Sequence, residues 1–362
     1  CKTASDMRLP FVAVGLLYRH GYFNQSIDRH GNQHANYANL EAGEAPVSPA
    51  RDSGGNEIYV NCRVQGADVA VKVWEAEVGR IPVLLLDTDI EQNHAKAREI
   101  TRVLYDGGEE RRIQQELILG IGGVRALRAT GREPRVWHVN EGHAAFQALE
   151  RTRELVSSGL GFTEAREAVA ANTVFTTHTP VAAGHDVFHR DLLLNYFRDF
   201  AGELGLTEDE FLRLGADGAA GQEFNMTQLA INMARAVNGV SRIHGTVSAE
   251  ICAAAWPEVP PAENPVGFVT NGVHVPTFIE QEWTDLFEQQ IGAGWAGQLT
   301  SGDLAQRVEE IPDGRYWYAH QRVKCNMLIA LRDRLMRQYV RNNVSDAHVK
   351  RLLKFLNPDD PE

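Results

Sequence analysis

Short apolar runs alternate with helical repeats along this chain, and that alternation restricts its fold more than any other feature. "LPFVAVGLLY" (9–18) is nearly continuous in apolar residues, as expected of a strand buried on both faces. Further strands are predicted at 69–89 (two strands joined at Gly79–Arg80), 135–139, 173–177 and 266–270. Helices are predicted at 109–129, 143–157, 163–171, 225–237 and over most of 314–355. The alternation predicts an α/β fold with a mainly parallel sheet covered by helices on both faces.

Composition narrows the function classes. The chain has 362 residues, 43% of them hydrophobic, and a formal net charge of −12 without a basic stripe, so nucleic acid is not an expected partner. No apolar run approaches about 18 residues, which argues against a membrane span, and the start does not resemble a secretory signal. The four cysteines are scattered without metal-type spacing. These features predict a cytoplasmic protein with buried thiols.

Polar residues cluster where the predicted strands end. In "VWHVNEGHAAF" (136–146), Glu141 and His143 follow a strand and precede a helix. His178 with Thr179, and Asn271 with His274, follow two other strands, and Asn238 and His244 are predicted at a helix-to-turn junction. Ligands of parallel sheets bind beyond the carboxyl ends of the strands. Imidazole, carboxylate and amide groups converging there would suit a polyhydroxylated ligand.

Each of these residues also has a purely structural interpretation. Glu141 could be a carboxylate favoured by a helix N-terminus, and His178 could be a satisfied core histidine. The "GIGG" stretch (120–123) resembles part of a phosphate loop but lies within a helical stripe. Asp87, Asp89 and Asn93 have loose metal-ligand spacing, although capping a turn explains them better. The spacing of His178, His185 and His189 matches no standard metal site.

Seven ordered blocks resemble the α-glucan (glycogen/starch) phosphorylases, most nearly the short bacterial and archaeal type. The blocks include "LPFVAVGLLYRHGYFNQSID", "IPVLLLDTDIEQN", "RVLYDGGEERRIQQELILGIGGVRALRATG", "HVNEGHAAFQALER", "TVFTTHTPVAAGHD", "FNMTQLAINMARAVNGVSRIHG" and "GFVTNGVHVPTF". They extend from residue 3 to about residue 280. The resemblance implies a two-domain GT-B glycosyltransferase fold, of which this chain would be the Rossmann-like N-terminal half.

The resemblance also implies a domain organisation and a cofactor. Residues 1–355 would form the glucan-side domain, truncated at its start, and residues 356–362 would begin the linker to a missing C-terminal domain. That domain carries the family's lysine for pyridoxal 5′-phosphate and the residues that bind phosphate. The lysines of this chain lie in no motif resembling the cofactor site, so we expect no covalent cofactor on it and no catalytic residue within it.

The implied reaction is the reversible phosphorolysis of α-1,4-glucan or maltodextrin to α-glucose 1-phosphate. The resemblance places Glu141 and His143 near the glucosyl and acceptor units and His178 on the cleft wall. The backbone at Arg235 and Ala236 would lie near the glucose 6-hydroxyl. The predicted substrate-binding residues are Glu141, His143, His178, Arg235, Ala236, Asn238 and Asn271. Many relatives have histidine at position 235, which puts a side-chain role of Arg235 in doubt.

Other features of the family are altered in this chain. Animal-type enzymes carry Asp-Thr-His where this chain has Glu-Gly-His. In both, a carboxylate precedes an imidazole by two residues. Only "ATGREP" (129–134) stands where those enzymes have a long gating loop, so we do not predict nucleotide or phosphorylation control. A homo-oligomer is possible in the complete enzyme.

Two other function classes stay open at the level of sequence. A nucleotide-sugar-dependent glucan synthase of the same GT-B class would need a glycine-rich donor-phosphate loop near its start. A non-catalytic polysaccharide-binding module would expose an aromatic platform, whereas the aromatic residues here, 8% of the chain, lie mostly in apolar runs.

Overall fold

The computed structural model describes residues 1–104, 108–181, 184–216 and 222–359. The chain divides into two compact units. The large unit comprises Cys1–Tyr22 and Ala38–Gly272, and the small unit comprises Phe23–Tyr37 and Val273–Glu362. The domain boundaries given above stay predictions, and residues 360–362 of the predicted linker lie outside the described ranges.

Most strands are short, β6 with 12 residues being an exception, and most belong to the large unit. In chain order they are β1 (Ala13–Leu16), β2 (Asn24–Ile27), β3 (Gln33–Asn36), β4 (Ser48–Pro49), β5 (Tyr59–Val64), β6 (Ala67–Val78), β7 (Ile81–Asp87), β8 (Trp137–Asn140), β9 (Thr173–Thr176), β10 (Val187–His189), β11 (Glu223–Asn225), β12 (Ala236–Gly239) and β13 (Val266–Phe268). The helices of the large unit are α1 (Lys2–Asp6), α2 (Ala95–Arg98), α3 (Glu109–Leu117), α4 (Gly123–Ala129), α5 (Phe146–Ser157), α6 (Phe162–Ala170), α7 (Arg190–Glu203), α8 (Glu208–Arg213), α9 (Met226–Asn232) and α10 (Arg242–Ile251).

Two sheets form the centre of the large unit. In one, β1 pairs parallel with β7, β7 pairs antiparallel with β6, and β4 and β5 both pair antiparallel with β6. In the other, the order β13-β12-β9-β8 is parallel throughout. The expectation of a mainly parallel sheet therefore holds for the second sheet alone, and the fold is α/β with parallel and antiparallel sheets. The antiparallel part follows from the tight Gly79–Arg80 turn, which can join only antiparallel neighbours.

The predicted helix over 109–129 is confirmed, and it explains the "GIGG" stretch. Its apolar stripe is fully buried, namely Ile113, Leu117, Ile121, Val124 and Leu127. Residues Ile118–Gly122 between α3 and α4 form a π-helical segment. A Cβ on Gly120 would lie 2.8 Å from the backbone nitrogen of Gln147. Glycine therefore serves the close approach of α5 rather than a phosphate loop.

Two secondary-structure predictions were wrong. The helix predicted over 225–237 ends at Asn232, and Ala236–Gly239 form β12, so Asn238 lies in an interior strand instead of a helix-to-turn junction. Ala-Val-Asn-Gly has weak β propensity, and pairing with β9 and β13 overrides it. Residues 28–56 are polar and rich in Gly, Asn, Pro and Ser, which predicts a long surface loop, but they contain β3, which pairs with β2, and β4, which pairs with β6.

The small unit joins a hairpin to a set of helices. β2 and β3 pair antiparallel, and the Asp28 carboxylate accepts hydrogen bonds from the backbone of His30 and Asn32 in the turn. The helices are α11 (Val275–Phe278), α12 (Gln281–Gln290), α13 (Gly302–Glu309), α14 (Asp313–Arg341) and α15 (Asp346–Leu353). The small core comprises Leu286, Ile291, Trp295, Leu304, Ile311 and Ala319. Within the 29 residues of α14 only Ala319 is buried.

The helical tail predicted over 314–355 is confirmed as α14 and α15. Leu331 on α14 is exposed, whereas Leu328 and Leu335 are half-buried. In the described part of the chain no helix has both the length and the apolar character needed to cross a membrane.

Candidate functional site

The carboxyl ends of four parallel strands bring most of the predicted site residues to one edge of a sheet. Asn140 pairs with Thr176, and Thr176 pairs with Asn238, so β8, β9 and β12 end at the same level. Glu141, His143 and His178 follow directly in the chain. Asn271 reaches this edge after β13, because its backbone N–H donates to Val240 O at 3.0 Å.

Arg235 and Ala236 are not brought to this edge. Ala236 is the first residue of β12 and pairs with Val174, while the Arg235 N–H donates to Thr173 O at 2.9 Å. Both residues are exposed and lie at the amino end of β12, opposite the carboxyl end that carries Asn238. The structure thus separates these two predicted contacts from the remaining five.

Glu141 holds a neighbouring backbone segment rather than a helix terminus. Its Oε1 accepts hydrogen bonds from the Thr177 hydroxyl at 3.1 Å, from the Thr179 N–H at 3.0 Å and from the His178 N–H. Its backbone has φ 65° and ψ 171°, a region that essentially only glycine occupies. For any other residue this conformation costs about 1–3 kcal/mol. Glu141 does stand at the N-cap of the short 3-10 helix Gly142–Ala144, but its side chain makes no capping hydrogen bond there. Backbone strain of this kind often marks a functional site.

Gly142 allows this strained turn to lie against α9. A Cβ at Gly142 would lie 3.1 Å from the Met226 Cβ and 3.2 Å from the Thr227 backbone nitrogen. Any larger residue would push the turn away from α9. The glycine in "NEGH" therefore fixes where Glu141 and His143 sit.

His178 keeps its imidazole free of hydrogen bonds among the described residues, in contrast to its neighbours. Its Nδ1 is buried and unpaired, 3.7 Å from Glu141 Oε1, and its side chain is 36% exposed. His138 Nε2, by contrast, is bonded to Thr176 Oγ1 at 2.7 Å, and the Thr176 hydroxyl donates to Asn238 Oδ1 at 3.1 Å. His178 is therefore not a satisfied core histidine. Because Nδ1 is buried beside Glu141, only the exposed part of the ring can meet a ligand.

His143 lies in a compact group of charged residues, which we call the His143 cluster (Arg112, Glu116, His143 and Asp186). Asp186 Oδ2 is 2.7 Å from His143 Nδ1 and accepts from Arg112 NH2 at 3.0 Å. Arg112 Nε lies 3.1 Å from Glu116 Oε1, and His143 Nδ1 lies 3.6 Å from the same oxygen. The cluster joins α3, the turn after β8 and the segment before β10.

Burial and pairing shift the pKa values of the cluster. Burial raises the pKa of Glu116 to about 8. For Asp186, burial alone would raise the pKa, but hydrogen bonds from His143 and Arg112 outweigh it and hold the pKa well below its usual range. Burial alone would lower the pKa of His143, but its bonds to Asp186 and Glu116 raise it to about 9. Asp186 is thus ionised, and His143 Nδ1 lies 2.7 Å from its Oδ2 and 2.6 Å from Arg112 NH2.

The spacing of the cluster would suit a metal ion, but the Arg112 guanidinium already places a positive charge there. One ligand atom each from Glu116, His143 and Asp186 lie within 4.8 Å of one another. Arg112 already lies within hydrogen-bonding distance of these groups, and its guanidinium supplies the positive charge that a metal would bring. We therefore interpret the cluster as a salt-bridged group that orients His143.

The lysines of this chain do not fit a Schiff-base cofactor. Lys72 lines a cavity of about 750 Å³ with Arg19, Trp74 and Asp87, but its ammonium lies 2.7 Å from Glu57 Oε2 and 4.5 Å from the Trp74 ring centroid. The amine is thus engaged by the Glu57 carboxylate and the Trp74 ring, whereas imine formation needs an amine that is free to attack a carbonyl. Of the other lysines, Lys324 is half-buried, and the exposed ones are Lys2, Lys96, Lys350 and Lys354. We derive no chemical step through pyridoxal phosphate on these residues.

Sequence reasoning missed Arg112, Glu116 and Asp186. Asp186 is separated from Arg112 by 74 positions, so no local pattern could link them. A signal was present on α3, where Glu116 stands among the buried positions Ile113 and Leu117, four residues after Arg112. A carboxylate on an apolar stripe needs a partner.

Comparison with known proteins gives a consistent set of relatives. The chain is 38% identical to a glycogen phosphorylase of Mycobacterium tuberculosis over 371 residues, which covers 99% of this chain and 42% of that protein. It is 41% identical to a maltodextrin phosphorylase of Thermococcus litoralis (89% of this chain, 38% of that protein). It is 30% identical to a glycogen phosphorylase of Aquifex aeolicus (99% and 51%). No family model matches the chain. The chain spans about half or less of the length of these relatives.

Proposed function

Because the chain belongs to the α-glucan phosphorylase family, we propose that it forms the glucan side of a phosphorylase that converts α-1,4-glucan and phosphate to α-glucose 1-phosphate. The observation that carries this proposal is the 38% identity to a glycogen phosphorylase along 99% of the chain. We further propose that its sheets form the Rossmann-like N-terminal half of a GT-B fold. In this proposal pyridoxal phosphate and phosphate are held by a second half, which supplies the proton relay of the reaction.

The roles proposed for the site residues follow from their contacts. His178 is proposed to bind a glucosyl hydroxyl through its Nε2, since its Nδ1 is buried beside Glu141. His143 is proposed to present a fixed ring to the sugar, since Asp186 and Arg112 restrain it. Glu141 is proposed to hold the backbone around His178, and any sugar contact falls to its other carboxylate oxygen. Asn238 and Asn271 stand at the same edge and complete the proposed glucan site.

The proposed contacts at Arg235 and Ala236 rest on the resemblance alone. Their place at the amino end of β12 gives those contacts no support. The resemblance assigns these contacts to backbone groups, which Arg235→Ala keeps, so glucan affinity should be unchanged in this variant. A loss of affinity would show that the Arg235 side chain itself takes part in binding.

A chimaeric enzyme tests the proposed activity. This chain would be joined to the remaining half of the Mycobacterium tuberculosis relative, loaded with pyridoxal phosphate, and assayed for glucose 1-phosphate from maltoheptaose and phosphate. We expect turnover, and a loss of about ten- to a hundredfold in kcat/KM for His178→Ala, because a hydrogen bond that tightens in the transition state is removed. His348→Ala, which removes an exposed imidazole on α15, is the matched control.

The same chimaera separates the alternatives. Chain extension from UDP-glucose or ADP-glucose without phosphorolysis would favour a nucleotide-sugar synthase. Binding of maltoheptaose with no turnover in either assay would favour a polysaccharide-binding module. Neither outcome is compatible with the phosphorylase proposal.

A further inference from the structure

We propose that His244 is a positioning residue which, together with Glu141, fixes the backbone of residues 177–179 and so holds His178 at the carboxyl edge of the sheet. The importance of His178 to a glucan rests on the proposed function. The fixed backbone segment does not depend on it.

The first observation is that the polar backbone groups of this segment are restrained from several sides. The Thr177 N–H donates to Asn238 O at 3.1 Å, which extends the pairing of β9 and β12 by one residue. The N–H groups of His178 and Thr179 donate to Glu141 Oε1. The carbonyl oxygen of Thr179 lies 3.3 Å from His244 Nε2. Donors and acceptors of the loop are thus engaged by two different side chains.

The second observation settles which ring nitrogen of His244 carries the proton. The Val240 N–H lies 3.2 Å from His244 Nδ1, and an N–H can only donate, so Nδ1 must be unprotonated. The proton of the neutral ring is then on Nε2, where it can be donated to Thr179 O. Both ring nitrogens have defined roles, which connect the turn after β12 to the loop after β9.

The third observation is that the neighbouring residues are built around this ring. His244 lies in the first turn of α10, where the Ser241 hydroxyl accepts from its backbone N–H at 3.1 Å. A Cβ on Gly239 would lie 2.7 Å from His244 Nδ1. Glycine at position 239 therefore makes room for the ring beneath the turn, which gives the "NGVSRIH" stretch a physical reason.

Amide hydrogen exchange on this chain tests the proposal without any assay of activity. His244→Asn keeps an acceptor near the Nδ1 position but loses the donor to Thr179. His244→Gln keeps a donor near the Nε2 position but loses the acceptor for Val240. We expect His244→Asn to speed exchange at the His178 and Thr179 amides about tenfold, and His244→Gln to restore their protection while exposing Val240. His348→Gln in the small unit is the matched control.

The amides of Phe175 and Val237, in the adjacent strands, report on the fold as a whole. If His244→Asn also exposes these amides, His244 supports the entire sheet and local positioning is wrong. Protection of His178 and Thr179 within about twofold of the parent in both variants would also overturn the proposal. A parent chain that binds no maltotriose, with the exchange pattern as expected, would count against the proposed function and leave the positioning role intact.

Discussion

Replacing Glu116 by glutamine tests the electrostatics of the His143 cluster. Burial raises the pKa of this carboxyl group from its ordinary value of 4.5 to about 8. The folded protein therefore retains a proton up to about pH 8, whereas the unfolded chain releases it near pH 4.5. Between these values the folded state binds more protons, so its stability falls as the pH rises.

The magnitude follows from linkage. A proton bound only by the folded state changes the free energy of unfolding by about 1.4 kcal/mol per pH unit. From pH 5.5 to 7.0 the wild-type chain should lose about 2 kcal/mol from Glu116. For a unit of this size that corresponds to a fall of about 4–8 °C in the melting temperature. The raised pKa of His143, about 9, adds a loss of the same sign above pH 6.5.

The assay is thermal unfolding of the wild type and Glu116→Gln at several pH values between 5.5 and 7.0. Glutamine has nearly the shape of a protonated glutamate and does not titrate, so the variant should lack the Glu116 part of the slope. Glu250→Gln, on the exposed surface of α10, is the matched control and should follow the wild type. Parallel curves for wild type and Glu116→Gln would show that Glu116 is ionised when folded, and would refute the reasoning.

Three further outcomes are expected. In a complete enzyme, Glu141→Gln and His143→Ala should each lower kcat/KM for maltooligosaccharides about ten- to a hundredfold; unchanged kinetics with a lowered melting temperature would leave only a structural role. Pyridoxal phosphate followed by borohydride should label no lysine of this chain stoichiometrically, as peptide mapping would check, because Lys72 is paired with Glu57; one fully labelled lysine would contradict this. The exposed residues of α14 should bind a hydrophobic dye and promote self-association, and a monodisperse chain without dye binding would count against it.

The sequence predicted the edge at which the site lies better than the contacts within it. Local patterns predict that Glu141, His143 and His178 follow strands, since the end of a strand shows in the sequence as a change from apolar to polar residues. The use made of Glu141 does not, because its partners lie at positions 177–179 and meet it only through the pairing of β8 with β9.

The missed strand β12 shows the same limit. Four residues of weak β propensity become an interior strand because β9 and β13 lie on either side of them. The exposed hairpin of β2 and β3 was likewise not predicted, because its residues are polar and lack an alternating pattern. For β12 the pairing partners are distant in the chain, so a single-sequence pattern carries no information about them. For the hairpin the partners are local, but its polar strands show no apolar alternation that would mark them.

The absent side chain at position 120 has a consequence for how tolerance to mutation should be judged in this protein. Gly120 has no side chain, yet it sets how closely α5 approaches the helical stretch that carries Arg112 and Glu116. His143 lies three residues before α5 begins. The distance between α5 and the backbone at Gly120 therefore also affects how far His143 lies from Arg112 and Glu116. A survey of random variants should therefore find that Gly120 accepts almost no replacement. A ranking of residues by chemical reactivity would overlook Gly120, because it contributes only by having no Cβ where the α5 backbone packs.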